Sequence, residues 1–137
     1  PRPAGRLTAA ERLRARRGLV AAVERAITRE ARARVASGTL TGRIARTECS
    51  PSTASGVPPG AEADLRRRIR AYDCLAVTRD IPATRTNAPG RLGHPFRAVV
   101  DFERFTFVFC KTNPPAGERA VPDPRALPRL ARACTRL

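Results

Sequence analysis

Four cysteines carry the clearest chemistry in this sequence. Cys49, Cys74, Cys110 and Cys134 lie 25, 36 and 24 residues apart, so there is no Cys-x-x-Cys pair to form a dithiol redox site or half of a zinc ribbon. The one histidine, His94, precedes Pro95 and has no second ligand at metal-binding spacing. Isolated cysteines in a small chain pair as disulfides in an oxidising compartment. Of three pairings, Cys49 with Cys74 and Cys110 with Cys134 is preferred. The first would tie across a Pro-rich loop, and the second would pin the carboxyl-terminal tail.

Anion binding is the second chemistry within reach. Lys plus Arg number 27 against 12 acids, a net charge of +15, and every cation except Lys111 is Arg. Such a field attracts nucleic acid, anionic membrane or anionic wall polymer, and the guanidinium fork suits phosphate and carboxylate alike. The densest clusters, Arg12, Arg14, Arg16 and Arg17 and then Arg66, Arg67, Arg68 and Arg70, are the candidate anion-binding residues. Arg, Ala and Pro share GC-rich codons, so base composition accounts for part of the charge.

Catalysis has poor material. A hydrolase needs a nucleophile, a base and an orienting group, or paired carboxylates in a cleft. His94, Asp73, Asp101 and Glu103 are of the right types, but no spacing gathers them. Phosphate-cradling Gly loops and metal-ligand sets are missing, so the expectation is a non-enzymatic protein with no cofactor and no metal.

These residues must be positioned by a thin core. Leu, Ile, Val and Phe total 28 of 137 residues, and Met and Trp are absent. A core of that size benefits from disulfides. Thr8-Ala9-Ala10-Glu11 has the form of a capping box and starts a helix near Thr8. Leu13, Val20, Val23, Ile27, Ala31 and Val35 recur at helical spacing, with Arg25, Arg29 and Arg32 off that stripe. Ser37-Gly38 stops the helix, and Gly18 divides a frayed first part from a docked part over 18–37. Residues 1–17 therefore read as a basic linker or frayed helix start, and 18–137 as a single domain. The helix is too Ala-rich to insert strongly in a membrane, and no apolar run reaches spanning length.

Strands follow. Residues 39–49 alternate as a half-buried strand with Gly42 as its weak point. A Pro-rich loop occupies 50–60 and a basic helical turn 61–69. Residues 72–78 form the second strand, with Leu75 and Val77 on one face and Tyr72, Cys74 and Ala76 on the other. A loop covers 80–93. Phe96, Ala98, Val100 and Phe102 line one face of a third strand, and Phe105, Phe107 and Phe109 one face of a fourth, joined through Glu103-Arg104. The Phe row reads as core, grouped by parity with Leu75 and Val77, and forms the floor for Val20, Val23 and Ile27. The Pro-rich tail, 112–137, ends in a helical turn over 127–134. The expected fold is α+β: one long amino-terminal helix packed on a four-stranded, mainly antiparallel curled sheet with two disulfides. Its shape is cystatin-like or nuclear-transport-factor-like, an analogy of fold alone.

Several segments, Arg46-Thr-Glu-Cys49, Tyr72-Asp-Cys74-Leu-Ala-Val-Thr78, Gly93-His94-Pro-Phe96, Val100-Asp-Phe102, Phe107-Val-Phe-Cys110-Lys111 and Arg132-Ala-Cys134, resemble small exported or lipoprotein-like proteins of GC-rich bacteria. The resemblance covers about 20–134. It implies export and disulfides, and no activity. The turn at 101–105 departs from the Gly-containing turn of that group.

The resulting expectation is a secreted or envelope-tethered domain, its export signal or anchor removed ahead of Pro1, that meets anionic envelope material or a protein partner. A basic nucleic-acid-binding protein is one alternative. A secreted protease-inhibitor-like module is another, using a rigid exposed loop at 50–60 or 80–93.

Overall fold

The structure is a computed structural model that describes residues 7–52, 68–112 and 121–122. Helix α1 spans Ala9–Ala36. Thr8 Oγ1 accepts the Glu11 N–H at 3.1 Å and the Glu11 carboxylate accepts the Thr8 N–H in return, so the capping box forms as the sequence predicts. Gly18 does not interrupt it. The expected frayed start is continuous helix from Ala9, because Arg16 and Leu19, on either side of Gly18, are both buried against the sheet. The helix stops at Ser37, and Gly38 takes the left-handed conformation at φ 85°.

Five antiparallel strands follow in chain order: β1 (Arg46–Pro51), β2 (Ile69–Ile81), β3 (Gly90–Asp101), β4 (Thr106–Lys111) and the short β5 (Val121–Pro122). A curled four-stranded antiparallel sheet under one helix is the expected fold. The fifth strand is an addition, and it lies in the tail that the sequence left without a strand. Strand β1 begins later than expected because Gly42 sits at φ 90°, off the extended conformation. Strands β2 and β3 are longer than expected and take in both ends of the predicted 80–93 loop. The predicted turns at 61–69 and 127–134 lie outside the described residues, apart from Arg68 and Ile69, of which Ile69 begins β2.

The core forms between α1 and one sheet face. Leu19, Val23, Ile27 and Ala31 meet Tyr72, Cys74, Ala76, Phe96, Ala98, Val100, Phe102 and Phe109, with Ile44 closing one end. The Phe row is therefore core, but it shares its face with Tyr72, Cys74 and Ala76 rather than with Leu75 and Val77. The registers Cys74↔Phe96 and Ala98↔Phe109 fix this. Phe105 departs from the row: it sits in the β3–β4 turn at φ 53° and is exposed. That turn needs no Gly because Asp101 Oδ1 accepts the Glu103 and Arg104 N–H groups at 2.9 and 3.1 Å.

Beyond Val77, β2 loses its β1 neighbour, and before Phe96, β3 has no β4 neighbour. Residues 78–95 therefore extend as a two-stranded arm with an exposed tip at 82–90. Such an arm is marginal alone. Ion pairs at its base brace it, where Arg46 and Glu48 of β1 reach Asp80 and Arg91. Hydrogen bonds from Arg46 first of all hold the Asp80 carboxyl below its ordinary value.

Candidate functional site: an arginine-lined groove

Strand β1 is one edge of the sheet among the described residues, and α1 runs beside it. Cys49 and Cys74 face each other across β1 and β2 and form a disulfide with Cα atoms 4.0 Å apart. That spacing marks a non-hydrogen-bonded pair, so the Cys49 main chain points out from the edge. The carboxylate of Glu24 on α1 accepts its N–H at 2.8 Å. One helix side chain thus covers a donor on the edge strand.

Between α1 and β1 lies a groove of about 520 Å³ lined by Ala21, Glu24, Arg25, Thr28, Arg29, Arg32, Ala45, Arg46 and Thr47. Arg25, Arg29 and Arg32 recur at intervals of four and three on the helix, rising about 6 and then about 4.5 Å along its axis. Arg32 is fixed by the Ile44 carbonyl, which accepts from its Nε and Nη2 at 3.2 and 3.1 Å. Arg46 pairs with Glu48 and Asp80. Neither Arg25 nor Arg29 has a partner among the described residues, and both are exposed. On the floor, Thr28 Oγ1 donates to the Glu24 carbonyl at 2.9 Å. The 2.7 Å contact between Thr28 and Thr47 Oγ1 is therefore donated by Thr47.

Among the described residues, the candidate arginines named from sequence do not converge. Arg12, Arg14 and Arg17 are exposed on the first turns of α1. Arg16 is buried, its guanidinium 4.4 Å from the Phe102 ring centroid, so it serves the core. Arg66 and Arg67 lie outside the described residues. Arg68 is held by Asp101 at 3.1 Å and Glu103 at 3.3 Å, and Arg70 is buried. The groove arginines are those that lie off the apolar stripe. Their i, i+4, i+7 recurrence was the available signal, which local arginine density conceals.

The disulfide Cys49–Cys74 is formed as preferred. It is the one disulfide seen among the described residues, and Cys134 lies outside them. His94 Nε2 is 2.7 Å from the Thr41 carbonyl, so it donates there and fastens β3 to the segment before β1. Among the described residues, no three His, Cys, Asp or Glu side chains gather as a metal site, and no helix is long and apolar enough to cross a membrane. No known protein family, curated protein or solved structure matches the chain.

Proposed function

We propose that this is a non-enzymatic extracytoplasmic domain that binds anionic envelope material through the α1–β1 groove. The observation that carries this reading is the pair Arg25 and Arg29, two guanidinium groups in a concave site with no counter-ion among the described residues. Arg32 adds a third positive charge whose contacts are neutral carbonyls. The cross-strand disulfide is compatible with an oxidising location, in keeping with the resemblance to small exported proteins. A second disulfide, Cys110–Cys134, belongs to the same proposal and is supported by the lack of a free cysteine among the described residues, Cys110 included. An intact mass four hydrogens below the fully reduced value, with no alkylation, is its signature.

The test of binding is retention on immobilised heparin at rising salt, using Arg25→Gln/Arg29→Gln beside Arg12→Gln/Arg17→Gln. The groove variant should elute at clearly lower salt than the wild type, while the second variant changes less. Equal losses in the two variants would reduce the groove to general surface charge.

A protein-binding reading is favoured by one further observation, the arm tip. Thr84 N–H donates to the Asn87 carbonyl at 2.8 Å, and Asn87 N–H donates to Thr84 Oγ1 at 3.0 Å. This clamp preorganises an exposed turn carrying Arg85. A closed turn differs from the extended segment a protease cleft receives, so the arm supports a docking element over an inhibitor of substrate-like conformation.

A further inference from the structure

The groove is more selective than its charge alone requires. Resting on the anion-binding reading above, we infer that it takes a single polyol-phosphate chain, in which phosphodiesters alternate with hydroxyl-bearing units.

Three features carry the inference. The arginines line a concave groove, which a single chain can enter and a flat lipid surface cannot follow. Interfacial binding also needs apolar side chains to insert, and the exposed large apolar residues Leu7, Ile69, Leu92 and Phe105 all lie outside the groove lining. No aromatic residue lines the groove. Single-stranded nucleic acid gains much of its affinity from stacking on such rings, so the bases of a nucleic acid would find nothing to stack on.

The third feature is the mixed polarity of the lining. Arg25, Arg29 and Arg32 donate from the helix. Glu24 uses Oε2 on the Cys49 N–H and leaves Oε1 as an acceptor. Thr47, having given its proton to Thr28, also presents an acceptor. A ligand with anionic groups alone would meet Glu24 as a repulsion. Phosphates on the guanidinium groups and hydroxyls on Glu24 and Thr47 would satisfy both sets.

Isothermal titration with four probes of matched phosphate content tests this: a glycerol-phosphate oligomer, single-stranded DNA, inorganic polyphosphate and phosphatidylglycerol vesicles. The wild type should bind the glycerol-phosphate oligomer about tenfold more tightly than any other, a difference of about 1.4 kcal/mol. Glu24→Gln and Thr47→Val, each checked for an unchanged circular dichroism spectrum and melting temperature, should reduce that preference: Thr47→Val leaves DNA affinity in place, and Glu24→Gln raises DNA and polyphosphate affinity because the repelling carboxylate is gone. Arg25→Gln/Arg29→Gln should weaken all four probes. Equal binding of all four by the wild type, or a preference untouched in both acceptor variants, overturns the polyol-phosphate assignment while the anion-binding reading stands. Failure to bind any probe removes both.

Discussion

Glu24 of the helix and Cys49 of the edge strand are joined by a 2.8 Å hydrogen bond from the Cys49 main-chain N–H to the Glu24 carboxylate. Open edge donors are templates for pairing with another chain. Pro51, which has no N–H, removes the next donor pointing the same way. Glu24→Ala should cost about 1–2 kcal/mol in urea unfolding by leaving a partly buried donor unmet. It should also produce concentration-dependent dimers in sedimentation velocity. A monomeric variant of unchanged stability would show that the contact protects nothing.

The disulfide Cys49–Cys74 closes a sequence separation of 25 residues. Chain-entropy arguments assign such a crosslink about 3 kcal/mol. The double variant Cys49→Ala/Cys74→Ala should lose roughly that amount, and reduction of the wild type, which also opens the proposed second disulfide, should lower its urea midpoint at least as far. If the variant unfolds at the wild-type midpoint, the helix–sheet core alone holds β1 in place.

Asp101 is one of the carboxylates whose loss of charge weakens the fold in acid. Burial pushes its carboxyl up, but the Arg68 fork and the Glu103 and Arg104 N–H groups outweigh burial and hold it below the usual range. A carboxyl depressed in the folded state stabilises fully above its unfolded value near 4, and that contribution fades as pH falls through the lower folded value. Asp101→Asn should cost about 2 kcal/mol at neutral pH, since it strips the charge from a buried carboxylate that accepts several hydrogen bonds, while the half-exposed Arg68 left behind is still solvated. The gap between wild type and variant should close as melting is measured from pH 6 down to pH 2. A gap independent of pH would assign the loss to the turn geometry alone.

Gly93 lies opposite Val77, where the β2–β3 register shifts. A Cβ there would collide with the Ala76 carbonyl oxygen, so the two backbones must separate. Gly93→Ala should destabilise by about 1–3 kcal/mol and loosen the arm. Hydrogen exchange at Arg79 and Leu92 should rise more than exchange in β4. Uniform exchange across the sheet would mean that the strain spreads instead of acting at the arm.

Local signals were readable at several places where a residue acts on its near neighbours. Thr8 with Glu11, Gly38, and the alternation through Tyr72, Cys74 and Ala76 each declare an element on their own. The arm was hidden because Pro82, Asn87, Pro89 and Gly90 mark a turn, whereas the ion pairs that brace its strands come from β1, more than thirty residues earlier. The groove was hidden for a related reason. Clustered arginines such as Arg16 and Arg70 draw attention in one dimension, yet both are buried in the fold. The site is made by arginines three and four residues apart and becomes a groove only when the β1 edge comes alongside.

Strand order equal to chain order has a kinetic consequence. Each described strand pairs with its predecessor, so the sheet can be assembled strand by strand in chain order. The contacts of longest sequence separation are then those of α1, which precedes the strands, with a sheet completed after it. During synthesis the helix emerges with its apolar stripe uncovered until β2 and β3 arrive. The arginines on its other side would keep that nascent segment soluble in the interval, a use of the positive charge that begins before the groove exists.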